Sequence, residues 1–392
     1  MDKKTAILLL VVFIDLIGFG IVIPILPLLI EHVGGGTILV GIIIALFSLF
    51  QFIFSPILGR LSDKYGRKPI LVLSSFLNSI SYFLIFLSPN LWILFLARIL
   101  AGIGSANISV AQAYIADTSS AHDRTKKLGL IGAAFGLGFI VGPLLGGVVS
   151  SKISIQAAFL VPAIFSLINT ILISIILSES NTSLQKHIKI ELFNLKVTKE
   201  VLRPKNIAFL LLLFFFVNFA LSLIIGVFSL LGQAKYGWTE AQNGYYFGLI
   251  GVGSFVTQAF LIRLMLKRIN EIHMIKIGLI TFGISIVIMG FSPLQWLTIL
   301  TGLITPFGVS LLMINTQSLI SLESKQEEQG IVMGVAQSFA ALGRVFGPLI
   351  GGVIAAYSLN MPFLVSGIVT ALILLFGNKY LKFMSNSRRS TF

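Results

Sequence analysis

An all-α multi-pass membrane protein, with twelve transmembrane helices in two six-helix bundles, is the fold class that three features of this sequence predict. Apolar runs long enough to cross a bilayer, about 20 residues each, recur twelve times along the 392 residues. Only 11% of the residues are charged and 56% are hydrophobic, with a mean hydropathy of +1.00. A soluble domain carries about 25% charged residues, so the solvent that suits this composition is lipid. Third, 24 of the 28 Lys and Arg fall in and beside alternate gaps between the runs, on the side of the two chain ends.

The first run, 5–30, holds Asp15. It exceeds the roughly 7–15 apolar residues of a secretory leader and lacks a small-residue cleavage site, so it is read as a retained span. The second, 38–58, stops at the charged decapeptide GRLSDKYGRK (59–68), and the third, 69–88, follows it. The fourth, 91–117, contains Arg98; the fifth, 127–150, is rich in glycine; the sixth, 157–177, closes the first half. The longest loop, Ser178 to Asn206, is polar and basic and has six runs on either side. The expected domains are therefore 1–177, a cytoplasmic linker at 178–206, and 207–392. The seventh and eighth runs are 207–233 and 241–264; TEAQ (Thr239 to Gln242) reads as a capping box that starts the eighth. The ninth to twelfth are 273–291, 295–320, 330–357 and 361–381. None of the runs alternates with period two, and each is about twice the roughly 10-residue length of a barrel strand.

The outer gaps hold two cations, Lys152 and Lys235, while Arg98 and Arg344 lie inside runs. This asymmetry places both termini in the cytoplasm. The net charge of +14 is thus spent on topology, and no nucleic-acid partner is expected. The sequence has no Cys and four scattered His, so neither a disulfide nor a metal site is expected. No nucleophile elbow, phosphate loop or metal-binding His pair occurs. No catalytic residues, enzyme activity or cofactor are predicted. Since no loop is long enough for a nucleotide-binding domain, the driving force is an ion gradient or the substrate's own. The expected partners are lipid, protons and a small-molecule substrate. The default oligomeric state is a monomer, because one chain carries both halves.

The halves repeat. GLGFIVGPLLGG (136–147) in run five matches ALGRVFGPLIGG (341–352) in run eleven. Gly138, Gly142, Pro143, Gly146 and Gly147 correspond to Gly343, Gly347, Pro348, Gly351 and Gly352. Glycines every fourth residue share one helix face and allow the close backbone approach that substitutes for hydrophobic force in lipid. Parallel repeats of this kind are a standard transporter plan. Ions within spans are costly and normally functional. Asp15 lies roughly 14 Å from the inner face and Arg98 roughly 12 Å from the outer face of a core about 30 Å thick. These depths lead us to expect an Arg98 side chain that bridges to Asp15, and Asp15 as a proton site; a static ion pair or a helix cap is the plainer alternative. Arg344 has either a functional or a packing role. Gln51, Asn107, Gln112, Asn218, Gln258, Asn315, Gln317 and Gln337 are candidates to line a substrate cavity or to join helices.

On these motifs the chain resembles the major facilitator superfamily, and within it the drug–proton antiporters of the tetracycline-efflux type. GRLSDKYGRK is similar to that family's loop motif G-x-x-x-D-[RK]-x-G-[RK]-[RK], LARILAGIGSA (96–106) to its helix-four motif, and GLGFIVGPLLGG to its helix-five antiporter motif. IDLIGFGIVIPILP (14–27) resembles its helix-one motif, and YGWTEAQNGYYFGLIGVGSFVTQAF (236–260) the seventh and eighth helices of tetracycline exporters. The resemblance implies efflux across a bacterial inner membrane, with Asp15 and Arg98 in proton coupling. It implies a conformational latch of Gly59, Asp63, Gly66, Arg67, Lys68 and Asp117. In that latch Asp63 faces the helix-eleven N-terminus near Gly330, and Arg67 and Lys68 approach Asp117. Tetracycline exporters carry acids in helices three and nine, where this chain has Ser81 beside Tyr82, and Phe282; this departure argues against tetracycline as the substrate. A proton symporter or facilitator that imports a small metabolite is the alternative on the same fold, and the helix-five ladder counts against it.

Overall fold

The computed structural model describes residues 3–87, 90–118, 121–181, 195–325 and 329–389, with no strand among them. In chain order the helices are α1 (Lys3–His32), α2 (Thr37–Tyr65), α3 (Arg67–Leu87), α4 (Leu91–Gly104), α5 (Asn107–Asp117), α6 (Ala121–Lys152), α7 (Ala157–Ile176) and α8 (Leu195–Val201). There follow α9 (Lys205–Ile225), α10 (Phe228–Tyr236), α11 (Glu240–Val256), a π-helical turn (Thr257–Leu261), α12 (Ile262–Leu266), α13 (Glu271–Phe291), α14 (Gln295–Glu323), α15 (Gln329–Tyr357) and α16 (Met361–Arg389). Among the described residues 11 segments are long and apolar enough to cross a membrane, and Gly136–Lys152 within α6 is a shorter apolar helix.

Several expected spans prove to be interrupted. The fourth is α4 and α5, parted at Ser105 and Ala106. Small residues precede this break: at Gly102 a Cβ would come within 2.6 Å of Phe47 O on α2, and Gly104 leaves room for the Asn78 side chain. The seventh is α9 and α10, parted at Gly226 and Val227, and the eighth contains the π turn. The twelfth continues to Arg389 rather than ending at 381. Thr239 and Gln242 form the reciprocal capping box: Gln242 N donates to Thr239 Oγ1 at 3.3 Å and Thr239 N donates to Gln242 Oε1 at 2.9 Å. Of the expected linker, residues 182–194 lie outside the described residues, and α8 shows that its later part is helical.

The chain divides into two compact units. Unit 1 is Met1–Leu192 with Gly237–Gly251, and unit 2 is Phe193–Tyr236 with Val252–Phe392. In unit 1, α1 packs on α6 and α7, and α3 packs on α4 and α7. In unit 2, α9 packs on α15 and α16, and α13 on α14 and α16. The second pattern repeats the first, so the sequence repeat is also a repeat of packing. Within unit 1, Val11 and Val12 of α1 join a buried cluster with Ile70, Leu71, Val110, Tyr114 and Ile173, which gathers α3, α5 and α7 around α1.

The glycine ladders make the α1–α6 and α9–α15 contacts. A Cβ on Gly138 would meet Leu16 Cβ at 2.6 Å, and one on Gly142 would meet Ile17 O at 2.6 Å and Gly20 Cα at 2.9 Å. One on Gly146 would meet Ile21 Cγ2 at 2.9 Å. In the copy, a Cβ on Gly343 would meet Phe215 O at 2.6 Å, one on Gly347 would meet Ser222 Cβ at 2.5 Å, and one on Gly351 would collide with Leu223 O. Pro143 and Pro348 lie inside their helices, and Gly352 is buried. Gly147 packs elsewhere: a Cβ on it would meet Glu240 O at 2.9 Å and Gly244 Cα at 3.0 Å. Gly59 of the loop motif serves no turn: it lies inside α2 with open space around it. The turn is Gly66, at φ +101°, a backbone region that side chains avoid. Gly142→Leu should therefore destabilise the protein by about 1–3 kcal/mol or more through overpacking. Gly59→Ala should leave stability within about 0.5 kcal/mol. Thermal unfolding in detergent, followed by intrinsic fluorescence, measures both; equal midpoints for the two variants would remove the packing role from the ladder.

Candidate functional site

Asp15 sits near the middle of α1, half-buried. Its Oδ2 accepts from Asn107 Nδ2 at 2.7 Å, and its Oδ1 from Asn169 Nδ2 at 3.4 Å. The break in the fourth span makes Asn107 the first residue of α5. Asn169, on α7, also donates to Val11 O at 3.0 Å and is fully buried. Its own Oδ1 has no hydrogen-bond partner. The carboxylate is thus held by two neutral amides.

Arg98 does not bridge to Asp15. It is 2% exposed, its guanidinium carbon lies 4.3 Å from the Phe47 ring centroid, and its Nε has no partner. The register explains the separation. Asn107 is level with Asp15, and Arg98 precedes it by nine residues, about 13 Å along a helix axis. The guanidinium is stabilised by an aromatic face rather than by a carboxylate. Nearby, Ser81 donates to Ala97 O at 2.8 Å, and Gly18 makes room for Pro162 and for the buried Tyr82. Phe282 is fully buried in α13.

The neutral polar candidates separate into distinct roles. Gln51 Nε2 donates to Ser105 O at 3.2 Å, one of the carbonyls at the helix break. Asn218 and Asn315 donate to carbonyls of their own helices, Phe214 O at 2.8 Å and Leu311 O at 2.7 Å. Asn218 Oδ1 accepts from Arg344 Nη1 at 3.3 Å, which gives Arg344 a neutral partner in unit 2. Gln258 Nε2 meets Ser310 Oγ at 3.4 Å. Gln317 is half-buried, while Gln112 and Gln337 are exposed. Of these candidates, only Asn107 contacts Asp15. Asn169, which sequence reasoning missed, stands as a single amide in the apolar stretch LINTIL (167–172), and that isolation was its signal.

A second cluster surrounds the turn from α2 to α3. Arg67 pairs with Asp63 one turn earlier and with Asp117 at the end of α5, Nε to Oδ2 at 3.0 Å. Its Nη1 also donates to Ser62 Oγ at 2.6 Å. Lys68 makes no ion pair with Asp117; instead it contributes its backbone N–H. That N–H donates to Glu179 Oε2 at 3.1 Å, and Arg67 N donates to Glu179 Oε1 at 2.8 Å. Glu179 therefore caps α3, where a carboxylate gains from the helix N-terminus. Gly66 admits it, since any side chain there would collide with that carboxylate. Ser180 Oγ reaches Asp117 Oδ2 at 3.2 Å, and Asn181 Nδ2 reaches Asp63 O at 3.2 Å. Glu179 was also missed, being 112 residues from its partner Arg67. In unit 2, Gly330 lies in the first turn of α15 with open space around it. Among the described residues no group of His, Asp and Glu is arranged to hold a metal ion.

Residues 8–276 and 261–386 match the model of the Major Facilitator Superfamily. The chain is 30% identical over 367 residues to the tetracycline resistance protein, class B, of Escherichia coli, covering 92% of this chain and 90% of that one. It is 31% identical over 385 residues to multidrug resistance protein 2 of Bacillus subtilis (strain 168), covering 94% and 93%. Among solved structures, the nucleoside transporter NupG superposes with a TM-score of 0.82 at 12% identity, over 97% of this chain and 100% of that one. The human organic anion transporter MFSD10 (TETRAN) superposes with a TM-score of 0.71 at 23% identity, over 95% and 99%. With the repeated helical units, the paired glycine ladders and the loop cluster around Arg67, these matches place the chain as a multi-pass membrane transporter that belongs to the major facilitator superfamily.

Proposed function

We propose that this transporter is a proton-coupled exporter of a small molecule, working by alternating access in a bacterial cytoplasmic membrane with both termini inside. Asp15 is the proton carrier. The observation behind this reading is the setting of Asp15: two amides donate to it, among the described residues no cation pairs with it, and Asn169 Oδ1 stands buried without a donor. Amide N–H groups hold the carboxylate, and an amide oxygen accepts from the protonated acid. Asn107 and Asn169 therefore suit both charge states and favour reversible protonation. Arg98, against Phe47, keeps positive charge in the same unit without capturing the carboxylate. The names of the relatives support a xenobiotic substrate. Ser81 and Phe282, where tetracycline exporters have acids, favour one other than tetracycline. No cofactor enters this scheme, and one chain suffices for it.

The cluster of Asp63, Arg67, Asp117 and Glu179 is the latch in this reading. It ties α2, α3, α5 and the segment after α7 through charge-assisted bonds, each worth about 1.5–3 kcal/mol.

A compound-tolerance panel in a pump-deficient host identifies the substrate. In proteoliposomes, Asp15→Asn should then abolish substrate-induced proton release while the protein remains folded; full coupling in that variant rules Asp15 out as the carrier. Asp63→Asn and Glu179→Gln should each slow turnover several-fold and leave substrate affinity unchanged. Stopped-flow transport and equilibrium binding separate the two effects, and turnover at the wild-type rate would reduce the cluster to a topological signal.

A further inference from the structure

The second-half counterpart of the charged decapeptide, RLMLKRINE (263–271), has lost the glycines and the central Asp, and the transport scheme does not use it. In unit 1 the decapeptide's cation Arg67 is neutralised by Asp63 and Asp117. In unit 2, Arg268, Asn270, His273 and Lys276 form the polar end of an open cavity of about 420 Å³ whose apolar end includes Ile277 and Ile280. No carboxylate lines it; Glu271, adjacent in sequence, is not among its walls. Among the described residues neither Arg268 nor Lys276 has an ion-pair partner. Lys276 donates to Asn378 Oδ1 at 2.8 Å, which uses one of its three donors. His273 Nδ1 is engaged with Asn270 Oδ1 at 2.6 Å.

The order of these groups along α13 indicates what they bind. His273, Lys276, Ile280 and Ile284 are spaced by three and four residues and share one face. Ile280 is 46% and Ile284 58% exposed, on a helix long and apolar enough to cross the membrane. The face therefore passes from uncompensated cations at the helix end to bare aliphatic surface within the membrane. A phospholipid presents the complementary order, a phosphate followed by acyl chain, and basic pockets at a membrane surface recognise anionic headgroups. We infer that this cavity is a binding site for one anionic phospholipid, with its phosphodiester between Arg268 and Lys276 and an acyl chain along Ile277, Ile280 and Ile284. A free phosphate would satisfy the cations and leave the aliphatic face without a role.

Native mass spectrometry of the full chain in detergent, titrated with phosphatidylglycerol, tests the site. The wild type should retain one tightly bound phosphatidylglycerol. Arg268→Gln with Lys276→Gln should weaken it about tenfold or more, while Arg268→Lys with Lys276→Arg should keep it. Phosphatidylcholine should bind both proteins equally weakly. Unchanged phosphatidylglycerol affinity in the Gln variant overturns the site. Equal loss in the charge-conserving variant overturns it as well, since that marks a structural role for the two residues. Displacement of phosphatidylglycerol by an equimolar amount of inorganic phosphate overturns the lipid assignment in favour of a bare-anion site.

Discussion

Lipid gives helices no hydrophobic reward for touching one another, so the α1–α6 contact must be made by backbone meeting backbone. The interior of unit 1 follows from it. Gly138, Gly142 and Gly146 bring α6 down onto Leu16, Ile17, Gly20 and Ile21, and this pins the stretch of α1 that begins one residue after Asp15. With α1 held there, α7 packs along it and delivers Asn169. The interrupted fourth span delivers Asn107 to the other carboxylate oxygen. An intramembrane carboxylate needs its donors placed without slack, and a helix contact in which glycines seat directly against backbone and side-chain stems has little slack to give.

The second unit keeps this contact and discards the charge. Gly343, Gly347 and Gly351 seat α15 on α9 as their counterparts seat α6 on α1. Where unit 1 has a carboxylate held by amides, unit 2 has an amide, Asn218, that accepts from a cation, Arg344. The loop motif diverges in the same way. Its first copy gathers three carboxylates around Arg67 and the start of α3; among the described residues, Arg268 of its second copy and Lys276 just beyond it have no ion-pair partner. Packing constrains both copies because both must associate in the same solvent. Charge is free to differ because the helix contact does not depend on it.

The spans, the two ladders and the capping box at Thr239 were legible in the sequence, because each is a local pattern of period, spacing or adjacency. The Arg67–Asp117 contact was legible only through resemblance. Asn169 and Glu179 were not found, since each acts on a partner more than a hundred residues away and neither carries a local pattern beyond being polar. The break at Ser105 was written in the small residues GIGSAN (102–107), yet hydropathy averages over it and returns one continuous span. The misplacement of Arg98 has a different source. Counting depth from opposite faces along unbroken, untilted helices put Arg98 almost level with Asp15. The structure sets Asn107 at that level instead, and so puts Arg98 about two and a half turns away.

The separation of Asp15 from Arg98 has a physical consequence. A buried ion pair would compensate both charges, and removing the charge of one partner would strand the other at a cost of about 3–5 kcal/mol. A carboxylate locked in that way resists protonation. Here each ion leans on neutral groups instead: Asp15 on two amides, and Arg98 on the face of Phe47. Neutralising Asp15 strands nothing. In the proposed scheme it converts an acceptor into a donor, and the Asn169 side chain that holds the carboxylate also carries a buried oxygen without a donor. On that reading the unit gains or loses one proton without stranding a buried cation.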